Sequence, residues 1–146
     1  MIMIGSALAL ELPETWVSST DGTRLVLHSP KREEVIVSAY RIVGNGLGKE
    51  QKQHSESIFQ NALRSALNAA SHPDLNVVKA LDEDRAACVF PCWTILAETR
   101  TKDAFFGQAV IRHPETCILL TYEAPFVSGA EETFRELLLR NVRSNC

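Results

Sequence analysis

The stretch that most constrains the fold is residues 105–146, FFGQAVIRHPETCILLTYEAPFVSGAEETFRELLLRNVRSNC, because it spells out a complete piece of architecture. Phe105, Gly107, Ala109 and Ile111 fall on one face of an extended segment, with Phe106, Gln108, Val110 and Arg112 on the other. Ile118, Leu120 and Tyr122 alternate with Cys117, Leu119 and Thr121 in the same way, and His113-Pro114-Glu115-Thr116 supplies the turn between the two strands. After the breaker Ala124-Pro125, Ser128 and Glu131 fit a capping box, and Ala130, Phe134, Leu137, Leu138 and Asn141 trace one stripe at helical spacing. Arg140 and Arg143 sit near the end of that helix, where its dipole favours cations. Apolar weight on both faces of the strands calls for cover on both sides of the sheet.

The remaining chain supplies elements to pack against this unit. With 146 residues, 45% of them hydrophobic, it can bury one core and is too short for two ordinary domains. We therefore expect a single domain over 1–146, with 1–6 as a tail and a first strand at 7–12. Pro13 and Glu14 mark a bend, Trp16 returns apolar bulk to the core, and Ser19-Thr20-Asp21-Gly22 is a hairpin turn leading into a strand at 24–28. Residues 35–43 form the next strand, whose two mostly apolar faces suggest a central place. A helix is expected over 57–70, capped by Ser57 and Gln60, with Phe59, Ala62, Leu63, Ala66, Leu67 and Ala70 as its buried stripe. Pro73 ends it. Strands follow at 77–81 and, interrupted near Pro91, at 86–99, joined by the acidic turn Asp82-Glu83-Asp84-Arg85.

Charge and motifs exclude several functions. A net charge of -3 and a pI near 5.8 provide no basic field for nucleic acid. The N-terminal apolar run has no basic flank, is broken by Gly5 and Ser6, and is too short to span a bilayer, so we expect a cytoplasmic protein with no membrane contact. Gly44-Asn45-Gly46-Leu47-Gly48 matches neither a P-loop nor a dinucleotide fingerprint and reads as a connector. Cys88 and Cys92, extended, would lie roughly 13 Å apart, too far for a disulfide. Like Cys117, they read as small buried hydrophobes, and Cys146 as an exposed thiol. The histidines show no ligand spacing with the cysteines, so no metal or other cofactor is expected. His28, His54, His113, Cys92 and Glu123 could do catalytic chemistry, but they lie on different elements and no catalytic motif joins them. The expectation is that the chain is not an enzyme.

The order of these elements carries a resemblance. A Leu-Pro-x-x-Trp opening at Leu12, Pro13 and Trp16, the VIVSAYRI strand, a helix, and a final strand ending Thr121-Tyr122-Glu123-Ala124-Pro125 before an amphipathic helix resemble the PsbP-like and DcrB-like superfamily. The likeness runs from about Leu8 to Ser144. It implies an α+β fold, an antiparallel β-sheet with an α-helix packed on each face, as in a PsbP-like α/β/α sandwich. That superfamily includes photosystem accessory subunits, a nuclear-transport GTPase cofactor, bacterial lipoproteins and cytosolic chaperones of type VI secretion effectors. The chaperones typically follow the tryptophan with an aspartate-arginine-serine-like segment, where this chain has Val17-Ser18-Ser19.

Together these features predict a binding module whose partner is a protein, either a secreted bacterial toxin or effector that it blocks as an immunity protein, or an effector that it escorts as a chaperone. A small-molecule-binding protein and a small enzyme are the remaining alternatives, and a homodimer is compatible with all of them. An acidic patch could steer a basic partner. The residues assigned to it are Asp82, Glu83 and Asp84, with Glu131 and Glu132 second.

Overall fold

The alternation of residues 105–124 builds the centre of the molecule. The computed structural model describes residues 2–5, 7–42 and 49–144, and the side chains of all of these but 49–51. In chain order the elements are β1 (Ile2–Ile4), β2 (Leu8–Leu10), β3 (Val17–Asp21), β4 (Arg24–His28), β5 (Glu34–Arg41), α1 (Lys49–Ala70), β6 (Leu75–Glu83), β7 (Cys92–Thr99), β8 (Phe105–Arg112) and β9 (Thr116–Ala124). A helical segment follows, α-helical over Ala130–Glu132 (α2), π-helical over Thr133–Leu138 and 3-10 over Leu139–Asn141, and β10 (Val142–Ser144) ends it. The expected connector at 44–48 and Cys146 lie outside the described residues.

The strands form an antiparallel seven-stranded sheet, ordered β3-β4-β5-β9-β8-β7-β6, and a three-stranded sheet, ordered β1-β2-β10. β8 and β9 sit near the middle of the larger sheet, and their register, Gly107 opposite Tyr122 and Ala109 opposite Leu120, confirms the two faces read from the sequence. The main core lies on the Gly107 face. There Leu27, Val35, Val37, Ile118, Leu120 and Tyr122 meet Ile4, Leu8 and Leu10 of the small sheet and Phe134, Leu138 and Leu139 of the C-terminal helical segment. On the opposite face Phe59, Ala62 and Ala66 of α1 pack against Val110 and Cys117, and Ala70 against Ile95, Ala97 and Phe106.

Several boundaries differ from expectation for identifiable reasons. Residues 2–4, expected as tail, pair with β2 and so extend the small sheet. The first helix begins at Lys49, so Ser57 lies inside it, and Gln60 donates to Glu56 at 2.9 Å in place of capping. Ser128 caps nothing either. The residue before α2 is Gly129, at φ 78, a left-handed conformation that favours glycine, and Thr133 Oγ1 donates back to its carbonyl at 3.1 Å. Residues 84–91 are a turn-rich loop, and β7 starts only at Cys92, because Pro91 cannot donate to a ladder.

One close contact ties the helical segment to the sheet. A methyl group at Gly107 would lie 3.0 Å from the ring of Phe134. Phe134 is fully buried and stacks on Tyr122 at 5.7 Å with 13° between planes, so it has no room to retreat. Gly107→Ala is expected to cost about 1–3 kcal/mol, and Phe134→Ala about 3–5 kcal/mol. In urea denaturation the double variant Gly107→Ala/Phe134→Leu should lose less than the sum of its single changes, since the smaller side chain removes the clash.

Candidate functional site

The functional geometry begins where α1 stops covering the sheet. Among the described residues α1 packs mainly against β6, β7, β8 and β9, which leaves the same face of β3, β4 and β5 more open. Cross-strand register sets out that open face in rows: Val17, His28, Glu34 and Glu123; then Ser19, Val26, Ile36 and Thr121; then Asp21, Arg24, Ser38 and Leu119. Val17 is 65% exposed and Tyr40, further along β5, is 40% exposed. β5 is third of the seven strands, paired on both edges, yet its Ile36 and Ser38 are only half-buried on this face.

Cavities run along the boundary between α1 and this open half. One of about 220 Å³ is lined by Tyr40, Ile58, Asn61, Ala62 and Ser65. Further along the same flank of the helix, one of about 430 Å³ is lined by residues that include Ala69, His72, Gln108 and Thr121. It shares Leu75, Phe106 and Glu123 with a third cavity of about 410 Å³, whose rim carries Arg32 and Glu34. Gln108 is buried, and its Oε1 accepts from Thr121 Oγ1 at 3.1 Å, so the floor is polar there and apolar at Phe106 and Leu75. The cavity of about 540 Å³ at the other end of α1 differs: two of its three charged residues, Glu56 and Arg112, pair at 2.8 Å beside Lys52, and the guanidinium also lies 4.4 Å over the Phe59 ring.

The loop before β5 fixes the rim. Glu33 turns into the core, where its carboxylate accepts from Tyr122 Oη and from Ser29 Oγ, the latter at 2.9 Å. Burial, and then the bond to Glu33, push the Tyr122 phenol well above its ordinary value. With Glu33 held inward, the alternation of the strand sends Glu34 to the open face, opposite Glu123. His28 Nε2 lies 3.0 Å from Glu34 Oε2. Glu123 has no ion-pair or hydrogen-bond partner among the described residues, and burial together with the Glu34 charge holds its carboxyl above the usual range.

The acidic residues singled out from sequence have different fates. Asp84 is only 7% exposed, and Arg135 grips both its oxygens at 3.0 and 3.1 Å, with Lys79 at 3.5 Å. It ties the end of β6 to the C-terminal helical segment. Asp82 and Glu83 remain exposed beside it, and Glu131 and Glu132 are exposed at the start of the segment that carries Arg135. Among the catalytic candidates, His28 meets Glu34, whereas His113 packs edge-on against Phe90 at 5.2 Å and accepts from the Glu115 amide at 3.1 Å. Cys92 is fully buried, and burial raises the Cys117 thiol to about 11. Among the described residues no group of three or more His, Cys, Asp or Glu side chains could hold a metal ion, and no helix is long and apolar enough to cross a membrane. The pairing of Glu34 with Glu123 was missed from sequence: the strand was expected to begin at residue 35, which left Glu34 in the connection before it, and only the β5–β9 register brings the two together.

No protein-family profile matches the sequence, and no curated protein aligns with it at a significant level. Solved structures do. A protein of Bacteroides thetaiotaomicron matches over 100% of this chain with TM-score 0.56 and 14% identity. The chain spans about half of that protein, 48% of its length. The Ran-binding protein Mog1p of Saccharomyces cerevisiae matches over 91% of this chain and 79% of its own, at TM-score 0.50 and 14% identity. LpqN, involved in cell envelope biogenesis of Mycobacterium tuberculosis, matches over 94% and 82%, at TM-score 0.55 and 11% identity. The fold is similar to those of Mog1p and LpqN. At such identities the likeness extends to architecture alone.

The Asp84–Arg135 pair has a pH signature. Burial pushes the Asp84 carboxyl up, but the Arg135 bond and charge, with Lys79, outweigh it and leave the value lowered. A lowered folded-state value means stability that is present above the unfolded value of about 4 and lost as pH falls through the folded one. Asp84→Asn is therefore expected to cost about 2 kcal/mol at neutral pH. In denaturation series from pH 7 downward, the gap to the parent protein should shrink below about pH 4.

Proposed function

We propose that the chain is a non-enzymatic protein-binding module whose partner docks on the open half of the sheet beside α1. The observation that carries this is the uncovered face of β3, β4 and β5, with Val17, Val26, Ile36 and Tyr40, running into the cavities along α1. Val17 and Tyr40 are exposed and Val26 and Ile36 half-buried among polar neighbours, a mixture of apolar and polar surface that suits a protein interface. That Mog1p is a Ran-binding protein supports the use of this architecture for capturing proteins.

The finer reading is a cytosolic partner of a secreted bacterial effector or toxin, acting as an immunity protein that occludes it. The net charge of -3 and the unpaired Glu123 suit a cationic partner. Asp82, Glu83, Glu131 and Glu132 would contribute to steering from outside the groove, as rim charges do. The chaperone role is favoured by one observation, the exposed Val17 and Tyr40 on the open face, which would suit an apolar effector segment before its own folding.

The test is complex formation with the C-terminal domain of the toxin or effector encoded beside this gene. A stable equimolar complex that abolishes toxicity is expected, weakened about tenfold or more by Tyr40→Ala combined with Val17→Ser. Binding that stabilises the partner without blocking it would favour the chaperone role. Absence of a complex, or one indifferent to both substitutions, would contradict the proposed face.

A further inference from the structure

Two carboxylates facing each other across adjacent strands repel, and such pairs are destabilising unless something offsets them. Glu34 and Glu123 are directly opposite in the β5–β9 register, at the junction of the cavities of about 430 and 410 Å³. Glu34 is partly offset by His28, 3.0 Å away, while Glu123 has no partner among the described residues. The surface beneath is apolar apart from Gln108, Thr121 and Thr99: Phe106 and Leu75 line both cavities, and Ala124 and Pro125 line the one at the rim. An open acid pair above an apolar floor fits a ligand with a hydrocarbon stem and a cationic head.

We propose that this cavity receives a lysine or arginine side chain of the protein partner, its methylenes lying on Phe106 and Leu75 and its charge between Glu34 and Glu123. The assignment rests on the protein-binding role proposed above and adds the chemistry of its anchor. Long basic side chains bury their stems along apolar surface while keeping the charged head polar, which matches both halves of the cavity. The other ionisable groups facing it are His28, Arg32 and His72. His72 is engaged with Asp74 at 3.7 Å, whereas Arg32, at φ 66 on the rim, has no ion-pair partner among the described residues. Arg32 is then a resident cation that competes for the acid pair.

The experiment uses n-hexylammonium as the probe, followed by amide NMR shifts on the full chain, with n-hexanoate and n-hexanol as controls. Hexylammonium is expected to shift Glu34, Leu75, Phe106 and residues 121–124, and the two controls are not. Because Glu123 is exposed, Glu123→Gln should fold normally, which a thermal melt by circular dichroism checks. Glu123→Gln and Glu34→Gln should each weaken binding about five- to tenfold, and Arg32→Ala should strengthen it. Shifts elsewhere, equal binding of hexanol, or Glu-to-Gln variants that bind as well as the parent would overturn the cation site. If hexylammonium binds here but the protein complex is indifferent to Glu123→Gln, the anchor assignment falls while the protein-binding role stands. If hexylammonium binds and no protein complex forms, the protein-binding role falls and the cation site stands.

Discussion

The architecture depends on the approach of Phe134 to Gly107. Only a residue without a side chain lets the C-terminal helical segment come this close to the middle of the sheet, and the ring then stacks on Tyr122 and sits 6.4 Å from Phe105. With that contact made, Val142 is delivered to pair with Leu10, so the end of the described chain closes onto the small N-terminal sheet. The Asp84–Arg135 pair fastens the same segment to the end of β6. One face of the large sheet is thereby covered from β4 to β7 by a continuous core.

The other face has a single element for cover. α1, 22 residues long, lies across β6 to β9 and packs through Phe59 and through Ala62, Ala66 and Ala70, whose small side chains let it sit low on the strands. Among the described residues it leaves β3 to β5 more open, and cavities form where the covered and open halves meet. The asymmetry of burial is what sets this region apart: inward residues of β5 such as Val35 and Val37 are fully or almost fully buried, whereas Tyr40 is 40% exposed on the same strand. The acid pair at the end of the groove follows from the inward turn of Glu33 one residue earlier.

Much of this order was legible in the sequence, because periodicity reports which residues share a face. The pairing of residues 105–112 with 116–124, the Asp21-Gly22 hairpin and the alanine stripe of the first helix all follow from local spacing. What local spacing does not encode is register between distant strands and the extent of a helix's cover. Both faces of 35–43 are apolar enough to suggest burial on two sides, yet α1 packs mainly on β6 to β9, so Ile36 is only half-buried and Tyr40 stays accessible, although Ile42 is buried. Asp84 looked like part of a solvated acidic turn; its partner Arg135 is 51 residues away, a separation at which no periodicity operates. Glu34 and Glu123 are likewise united only by the β5–β9 register.

The central claim is that partner recognition belongs to the half of the sheet that α1 leaves bare. The most direct measurement is amide hydrogen exchange of the chain, free and in complex with the protein encoded beside its gene. The account predicts new protection in β4, β5, the end of β9 and the α1 flank carrying Ile58, Ser65 and Ala69, with little change at Asp82–Glu83 or in the helical segment after Gly129. Protection confined to those acidic segments, with β4 and β5 exchanging as in the free chain, would contradict it.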